Sequence, residues 1–554
     1  MRDPYDSRTE PPQHSTANEL GKRYAHGGAV SDNPNKSSDR PNDGRVSSRR
    51  YVEQARAERA RLTGRAEPAT GGKHVHLDYH HPLEDYLGTW WMRRLLRHIS
   101  KDRRGGKTVF EQIVESYANP DALLWHRIKY WPLHRFIRKV KGGVSDETFR
   151  QRIAGHRSTL RGFVATARSV AEFGLCLPQR FSVPLIVIWN FTNRCNLRCK
   201  HCYQDANARH GADELTSEEK LRVVDELGRT YVPMLSIAGG EPTISKDLLP
   251  VLTRCRDLGI HTSMATNGTT LTPEFCRKLA EAQCKYIEIS LDSVDPQKHD
   301  TFRGQPGVWE RTVQGMKNVV AQDGLRLGVA MCVHQGNYDE AERMIDFAVE
   351  LGASCFAHFN FIPVGRGLKM TDSDLTPAQR ERLLRLLNET MQSGRISVMS
   401  TAPQLGRVSL ACAPIEGLTS CSHLGGGGGE KARVVAKYLG GCGAGRCYVC
   451  IEPDGTITPC VYMPHRVLGN VRNRPFVDIF RRNEFYELLN DRNQRTHHCE
   501  VCEFKHYCGG CRARADAYFG HANAGDPGCI FNDRAWDDLC RADAADSMSL
   551  SSKP

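Results

Sequence analysis

The chain has 554 residues, of which 21 are cysteines. At about 100–200 residues per domain, this length predicts roughly three domains. The cysteines are too sparse for a small disulfide scaffold, and their odd number excludes complete pairing within the chain. Residues 1–60 contain no signal-like apolar stretch, and no run of about 18 apolar residues occurs anywhere. We therefore expect a cytoplasmic protein whose clustered thiols bind metal or carry out redox chemistry.

The net charge of +12 is concentrated in one segment. Residues 90–141 contain 13 Lys and Arg against 4 Asp and Glu. Such a basic segment suits nucleic acid, an anionic membrane surface or an acidic substrate. No nucleic-acid-binding motif accompanies the charge, so nucleic acid is not predicted as a partner.

In chain order, residues 1–75 are rich in Ser, Asn, Pro, Gly and charge, which predicts disorder. Residues 80–180 are predicted to form a basic, Trp-rich helical domain, because apolar residues recur at three- and four-residue spacing. Its expected helices cover 90–99, 109–117, 121–141 and 146–173.

From residue 184 to about residue 395, short apolar runs alternate with amphipathic helical patterns. The apolar runs predict strands at 184–192, 235–240, 261–266, 286–292, 327–333 and 355–363. The helical patterns lie near 216–230, 246–258, 273–283, 307–323, 338–352 and 376–393. This alternation indicates an α/β fold with a parallel sheet of six βα units, two short of a complete barrel.

Two further regions follow. Residues 396–441 are predicted to be an irregular linker that includes a flexible glycine run, 425–429. Residues 442–540 are dominated by cysteines, and long helical patterns are few there.

Three cysteines, Cys195, Cys199 and Cys202, form a C-x3-C-x2-C pattern in the loop after the first predicted strand. Three thiolates on one loop can ligate three irons of a cubane cluster and leave the fourth iron open. A zinc knuckle short of one ligand and buried free thiols are the alternatives. Two nearby strand ends also suit a ligand, since glycines 239–240 permit close backbone approach and residues 290–292 place polar groups at a carboxyl end.

The motifs TNRCNLRCKHCY (192–203), GGEP (239–242), ATNG (265–268) and ISLDS (289–293), in this order, resemble the radical SAM superfamily over about residues 184–395. The resemblance implies a partial (β/α)6 TIM barrel and a [4Fe–4S] cluster on Cys195, Cys199 and Cys202 that binds S-adenosylmethionine. One electron then cleaves S-adenosylmethionine to methionine and a 5′-deoxyadenosyl radical, which takes a hydrogen atom from the substrate.

The resemblance also assigns roles to single residues. The GGEP backbone resembles the site of the methionine amino group, Ser290 and Asp292 resemble ribose-side residues, and Arg303 stands where related enzymes place a partner for the methionine carboxylate. His201 lies beside the adenine position. The cofactor-binding residues implied in this way are Tyr203, Gly239, Gly240, Glu241, Pro242, Asn267, Ser290, Asp292 and Arg303.

The C-terminal cysteines include a C-x2-C-x5-C-x2-C run at 499–511. Their spacing alone leaves zinc and iron–sulfur sites open. Downstream of a radical SAM barrel, the region resembles a SPASM domain, which holds two auxiliary [4Fe–4S] clusters. The implied ligands of one cluster are Cys442, Cys447 or Cys450, Cys460 and Cys511. Those of the other are Cys499, Cys502, Cys508 and Cys529.

The substrate is indicated only by finer motifs. FNFIPVGRG (359–367), HYCGGCRARADA (506–517) and GDPGC (525–529) resemble the branch that contains the maturases of heme d1 and of heme b, which act on porphyrin-like propionates. We therefore predict heme-like cofactor biosynthesis. A peptide maturase and a lipid-modifying enzyme at the membrane are alternatives, and a non-catalytic iron–sulfur electron-transfer or zinc-binding protein is another. The expected partners are a small-molecule or peptide substrate and an electron donor such as flavodoxin or ferredoxin.

The basic N-terminal segment also holds four of the seven tryptophans, Trp90, Trp91, Trp125 and Trp131. Tryptophan with Lys and Arg on an amphipathic helix suits a membrane interface, so residues 89–141 are a candidate for peripheral membrane contact. The interpretation we favour is a helical domain that packs these tryptophans on the barrel.

Overall fold

The computed structural model describes residues 82–102, 107–119, 124–141, 145–150, 155–207, 213–412, 417–420 and 426–532. The disorder predicted for residues 1–75 and the end of the predicted region 442–540 lie outside these ranges. No described helix is both long and apolar enough to cross a membrane.

The part of the chain described before residue 174 is built from helices. They are α1 (Pro82–Leu87), α2 (Trp90–Ile99), α3 (Val109–Ala118), α4 (Leu124–Lys129), α5 (Trp131–Lys141), α6 (Asp146–Phe149) and α7 (Arg157–Phe173). The single helix predicted at 121–141 is divided at Tyr130, because Pro132 has no amide hydrogen to continue the bonding pattern. Helix α7 docks on the barrel through buried Arg161, which donates to the carbonyl oxygens of Leu227, Gly228 and Val232.

Six parallel strands form the centre of the molecule, and each is followed by a helix. The strands are β1 (Ile186–Asn190), β2 (Met234–Ala238), β3 (His261–Thr266), β4 (Cys284–Ser290), β5 (Arg326–Val333) and β6 (Cys355–Asn360). The helices are α8 (Ser217–Arg229), α9 (Leu248–Leu258), α10 (Pro273–Glu281), α11 (Pro296–Arg303), α12 (Val308–Val320), α13 (Ala341–Glu350) and α14 (Pro377–Ser393). The strands pair in chain order, which confirms the predicted partial barrel.

The predicted linker at 396–441 proves to be largely ordered secondary structure in its described part. It contains β7 (Ser397–Ser400), α15 (Gln404–Cys412), β8 (Leu418–Ser420), β9 (Gly426–Gly428) and α16 (Gly429–Leu439). Strand β7 extends the parallel sheet beside β6. The glycine run, predicted to be flexible, pairs as β9 with β8, and a Cβ at Gly426 would lie 2.8 Å from the carbonyl oxygen of Thr419.

The cysteine-rich C-terminal region joins the same sheet rather than standing apart. Its strand β10 (Tyr448–Ile451) pairs in parallel with β1, and β11 (Thr456–Thr458) and β12 (Gly469–Asn470) continue the sheet in antiparallel fashion. Its helices are α17 (Phe476–Arg481), α18 (Phe485–Asn490), α19 (His498–Val501) and α20 (Arg512–Phe519). The C-terminal cysteines therefore lie against the barrel.

Side chains alternate along the barrel strands, as the period of two requires. On β4, Ile287 and Ile289 pack outward in the core, whereas Tyr286, Glu288 and Ser290 face the barrel interior. The inward set is polar and includes a carboxylic acid, which is unusual in a buried strand and indicates a binding chamber.

Candidate active site

A cavity of about 210 Å³ lies at the carboxyl ends of the barrel strands. The thiols of Cys195, Cys199 and Cys202 line it. The predicted cofactor-binding residues that also line it are Tyr203, Gly239, Gly240, Asn267, Ser290, Asp292 and Arg303. Glu241 and Pro242 are buried behind its wall. The fold thus brings together residues that lie more than 100 positions apart in the chain.

The cysteine loop is held in place by Arg366, which the sequence analysis did not single out as a site residue. Its Nε donates to the carbonyl oxygen of Cys199 at 2.8 Å, and its Nη1 donates to the carbonyl oxygen of Ala206 at 2.7 Å and to Asp205 at 2.8 Å. Its own amide donates to the carbonyl oxygen of Cys202 at 2.9 Å. Arg366 therefore holds the backbone of the cysteine loop at Cys199, at Cys202 and at Ala206, which follows the last of the three cysteines.

Two glycines from other segments pack directly on this loop. A Cβ at Gly240 would lie 2.0 Å from the carbonyl oxygen of Arg194, and one at Gly365 would lie 2.4 Å from that of Tyr203. Gly365 also has a positive φ of 57°. Both positions exclude a larger residue, since backbone atoms occupy the space that a side chain needs.

Glu241 connects two strand ends beneath the cavity. Its carboxylate accepts hydrogen bonds from Thr266 Oγ1 at 2.7 Å and from the amide of Asn267 at 2.8 Å. Asn267 in turn donates through Nδ2 to Asn196 Oδ1 of the cysteine loop at 2.8 Å. The carboxylate thus orders the end of β3, which supports the loop.

Arg303 and Asp292 form a buried ion pair in the cavity wall, with Arg303 Nη2 2.5 Å from Asp292 Oδ2. Burial alone would raise the pKa of Asp292, but the cationic Arg303 and the nearby His201 and His299 outweigh it, and the pKa is about 2. Arg303 Nη1 also lies 3.7 Å from Cys199 Sγ. A permanent positive charge therefore lies beside one of the predicted cluster ligands.

Burial raises the pKa of the Cys195 thiol to about 12 and also raises the pKa of Cys199, while Arg303 acts in the opposite direction on Cys199. Ligation of iron requires the deprotonated thiolate, so cluster binding here is coupled to proton release. Arg303 favours the thiolate of Cys199 electrostatically.

A second cavity of about 300 Å³ adjoins the first inside the barrel. Both are lined by Ile188, Ser236, Ala265, Glu288, Phe359, Ile362, Val461 and Tyr462. Its wall includes Cys442, Cys460 and Cys511 of the C-terminal region. The two cavities, together called the barrel chamber, therefore lie between the first cysteine loop and the second cysteine region.

Glu288 lines both cavities and is not among the site residues predicted from the sequence. Burial raises its pKa to about 7, and the Tyr286 hydroxyl donates to Glu288 Oε2 at 3.5 Å. A carboxyl group in this setting is protonated below neutral pH. The position of this glutamate in the middle of the apolar run YIEISLD (286–292) is the sequence feature that could have identified Glu288 as a site residue.

The C-terminal cysteines fall into two groups. Burial is the main cause of the raised pKa of Cys447, Cys460 and Cys511, and Cys442 contributes to all three. In the second group, burial is again the main cause of the raised pKa of Cys502, Cys508 and Cys529. The neighbouring Cys499 raises the pKa of all three further. No described group of three or more His, Cys, Asp or Glu side chains is arranged to hold a metal ion as it stands.

Cys450 differs from Cys447. It lies on β10 opposite Ile188 of β1, and its Sγ contacts Glu452 Oε1 at 3.4 Å. Burial raises its pKa, and Glu452 raises it further. A neighbouring carboxylate disfavours the thiolate that iron would need.

The residues in the first cavity fit a cluster with a bound amino-acid-like ligand. His201 Nδ1 and Arg303 Nε are buried there without a hydrogen-bond partner among the described residues. Buried polar atoms normally have partners, so these two atoms mark a site for a polar ligand. His201 also stacks on Phe302, with ring centroids 4.5 Å apart, and Phe302 stacks in turn on His334 at 4.7 Å, so the His201 ring is held flat at the cavity wall.

Comparison with known proteins agrees with this geometry. A family model described as the radical SAM superfamily matches residues 189–348, and one described as an iron–sulfur cluster-binding domain, SPASM, matches residues 442–503. The chain is 32% identical to the AdoMet-dependent heme synthase of Methanosarcina barkeri over 351 residues, which is 63% of this chain and 97% of that protein. It is 27% identical to the PqqA peptide cyclase of Bradyrhizobium diazoefficiens over 363 residues, 64% of this chain and 88% of that protein.

Among solved structures, SuiB of Streptococcus suis bound to S-adenosylmethionine matches with a TM-score of 0.53. The match covers 79% of this chain and 94% of that chain at 17% identity, so it concerns the fold.

The fold, the cysteine loop and the relatives together define an enzyme that depends on iron–sulfur chemistry and S-adenosylmethionine. The chain belongs to the radical SAM superfamily and carries a C-terminal SPASM domain. The resemblance inferred from the motifs is thus confirmed, as is the expectation of an enzyme. The alternative of a non-catalytic iron–sulfur or zinc protein is set aside by the enzymatic relatives.

Proposed function

We propose that this enzyme cleaves S-adenosylmethionine at a [4Fe–4S] cluster held by Cys195, Cys199 and Cys202, and that it takes a hydrogen atom from a substrate in the barrel chamber. The observation that carries this proposal is the cavity lined by these three thiols and by seven of the nine predicted cofactor-binding residues. When bound, the cluster and S-adenosylmethionine supply a one-electron cleavage that yields the 5′-deoxyadenosyl radical.

The surrounding residues prepare the site for this chemistry. Arg303 holds a positive charge between Asp292 and Cys199, which suits the negatively charged cluster and the methionine carboxylate. The flat ring of His201, held in place by its stacking on Phe302, suits the adenine ring.

We assign the first auxiliary cluster to Cys442, Cys447, Cys460 and Cys511, and the second to Cys499, Cys502, Cys508 and Cys529. Two observations support the choice of Cys447 over Cys450. Cys442 raises the pKa of Cys447, and Cys450 contacts the carboxylate of Glu452 instead. Four protein thiolates leave no open iron, so we assign electron transfer to these clusters. The chamber lies between the first cysteine loop and Cys442, where a substrate radical would pass its electron onward.

For the substrate, we favour a carboxylate-bearing tetrapyrrole in heme-like cofactor biosynthesis. The likeness to the AdoMet-dependent heme synthase supports this choice. So does Arg326, which lines the far part of the chamber as a cation suited to a carboxylate. The likeness to the PqqA peptide cyclase keeps a peptide substrate as the second candidate.

The substrate proposal is tested by deuterium transfer into 5′-deoxyadenosine. The reduced enzyme is incubated anaerobically with an iron tetrapyrrole deuterated on its propionate side chains, or with a deuterated peptide library. We expect deuterium in 5′-deoxyadenosine only with the tetrapyrrole. Transfer from peptides alone would replace this candidate with the peptide maturase.

We further propose that α4 and α5 contact an anionic membrane surface. The four N-terminal tryptophans are solvent-exposed, so the packing on the barrel favoured above is wrong. Trp90, Trp91, Trp125 and Trp131 are 75%, 44%, 67% and 54% exposed. Helix α4 buries no residue, and residues 124–141 contain six Lys and Arg and no Asp or Glu. An exposed aromatic and basic helical face of this kind suits the lipid interface.

A further inference from the structure

Asn360 occupies the end of β6 and lines the first cavity together with the three thiols. Its side chain is buried. It lines the first cavity but not the second, so a ligand that reaches Asn360 occupies the proposed S-adenosylmethionine site.

Two arginines fix the orientation of the Asn360 amide. Its Oδ1 accepts hydrogen bonds from Arg380 Nε at 3.1 Å and from Arg514 Nη2 at 2.7 Å. A guanidinium group can only donate, so the atom that faces both arginines is the amide oxygen. The amide nitrogen must then point away from them.

That nitrogen, Asn360 Nδ2, is buried and has no hydrogen-bond partner among the described residues. A buried donor left without an acceptor destabilises the folded protein. A ligand in the cavity that offers an acceptor would remove this destabilisation.

The two arginines are themselves held by one carboxylate. Asp374 accepts from Arg380 Nη2 at 2.6 Å, from Tyr518 Oη at 2.8 Å, and from Arg514 Nη1. All of these side chains except Tyr518 are at most 1% exposed. Because the same two guanidinium groups bind both the Asp374 carboxylate and the Asn360 amide oxygen, the amide has little freedom to turn.

Arg514 belongs to the C-terminal region and not to the barrel. It lies in the first turn of α20, three residues after Cys511, and its amide donates to Cys511 Sγ at 3.4 Å. The helix that is capped by Cys511, a proposed auxiliary-cluster ligand, therefore also contacts a residue of the first cavity, Asn360.

We propose that the C-terminal region completes the S-adenosylmethionine site: Arg514 positions Asn360 so that Nδ2 donates a hydrogen bond to an oxygen or ring nitrogen of S-adenosylmethionine. Asn360 is the binding residue, and Arg514 is a positioning residue. The inference rests on the proposed function, because it takes S-adenosylmethionine as the occupant of the first cavity.

The test uses the full-length, anaerobically reconstituted enzyme and equilibrium binding of S-adenosylmethionine. The decisive variant is Asn360→Asp, because a carboxylate still accepts from both arginines but has no N–H to donate. We expect its Kd to rise about tenfold, while iron content and the electron paramagnetic resonance signal of the reduced cluster without S-adenosylmethionine stay unchanged. An unchanged Kd would overturn the proposal.

The positioning role is tested by Arg514→Lys. The single ammonium group of lysine cannot replace the two guanidinium nitrogens that donate to Asp374 and to Asn360. We expect a smaller rise in Kd, and the effects of Arg514→Lys and Asn360→Asp should not add in the double variant. Full additivity would refute the coupling. Arg495→Lys is the matched control, since Arg495 is a buried arginine of the same region that donates to the carbonyl oxygens of Leu488 and Leu489.

Binding of 5′-deoxyadenosine and of methionine, each alone, tells which half of the ligand accepts the bond. If Asn360→Asp weakens neither compound nor S-adenosylmethionine, Asn360 has no role in this site and the proposal fails. If the wild-type enzyme itself does not bind S-adenosylmethionine, the proposed function fails instead.

Discussion

Arg366 Nε donates a hydrogen bond to the carbonyl oxygen of Cys199 at 2.8 Å. The two residues lie 167 positions apart in the chain, and this contact ties the segment that follows β6 to the cysteine loop after β1. The conformation of the cysteine loop therefore depends on the segment that follows the sixth strand of the barrel.

Replacement of Arg366 by Lys should loosen the first cluster. A lysine can reach only one of the acceptors that Arg366 now binds on Cys199, Ala206 and Asp205. Loss of a charged hydrogen bond of about 1.4 kcal/mol corresponds to about tenfold, so we expect roughly tenfold faster release of iron to a chelator. Arg343→Lys is the control, because Arg343 is exposed and forms a 3.8 Å ion pair with Glu340 on its own helical segment. Equal release from both variants would contradict the prediction.

Glu288 should make the stability of the enzyme depend on pH. In the unfolded chain this carboxyl ionises near pH 4.5, whereas burial holds its pKa at about 7 in the folded state. The folded state therefore keeps a proton that the unfolded state loses, so this residue costs stability as pH rises from about 4.5 to 7. Over this whole pH interval, the loss in the free energy of unfolding amounts to about 3 kcal/mol.

Glu288→Gln removes the ionisation and keeps the shape. We expect the variant to gain thermal stability over the wild type as pH rises through this window, with a constant difference above pH 7. Anaerobic melting curves of both proteins from pH 5 to 8 measure it. A difference that does not change with pH would mean that Glu288 has an ordinary pKa.

The two cysteines that the sequence left unresolved should differ in iron content. Cys447→Ser removes a proposed ligand, so iron should fall from about 12 to about 8 per chain, at four irons for each cluster. Cys450→Ser should leave about 12, because the Cys450 thiol contacts Glu452. Iron analysis and Mössbauer spectra of the reconstituted proteins decide between them, and the reverse pattern would assign the ligand to Cys450.

The aromatic and basic face of α4 and α5 should bind anionic vesicles. We expect the wild-type protein to sediment with phosphatidylserine-containing liposomes but weakly with pure phosphatidylcholine. The double change Trp125→Ser and Trp131→Ser should reduce binding severalfold, since it removes two exposed rings. Val320→Ser, which alters an exposed apolar residue on α12, is the control. Equal binding by the double variant, or none by the wild type, would refute the membrane contact.

Local sequence patterns predicted the barrel well, because short strand-like runs alternate with amphipathic helical patterns from β1 to β6. The site was predictable where a motif places several residues on one loop, as for Cys195 to Tyr203. Arg366, Asn360 and Arg514 were not predictable as site residues, since their partners lie far away in the chain.

Two further differences between the sequence-based expectations and the structure also depend on contacts with other parts of the molecule. The glycine run at 426–428 forms a strand because β8 supplies a backbone partner, which composition cannot reveal. The tryptophans of α4 and α5 are exposed although helical periodicity is consistent with burial, because periodicity shows that a face is apolar but not what covers it.

The most direct test of the account is the anaerobic formation of 5′-deoxyadenosine from S-adenosylmethionine by the reduced enzyme. The wild-type protein should produce it together with methionine. The triple variant Cys195→Ala, Cys199→Ala, Cys202→Ala should produce none, while the iron of the C-terminal clusters remains at about 8 per chain. Formation of 5′-deoxyadenosine by the triple variant at the wild-type rate would contradict the assignment of the radical-generating cluster to this loop.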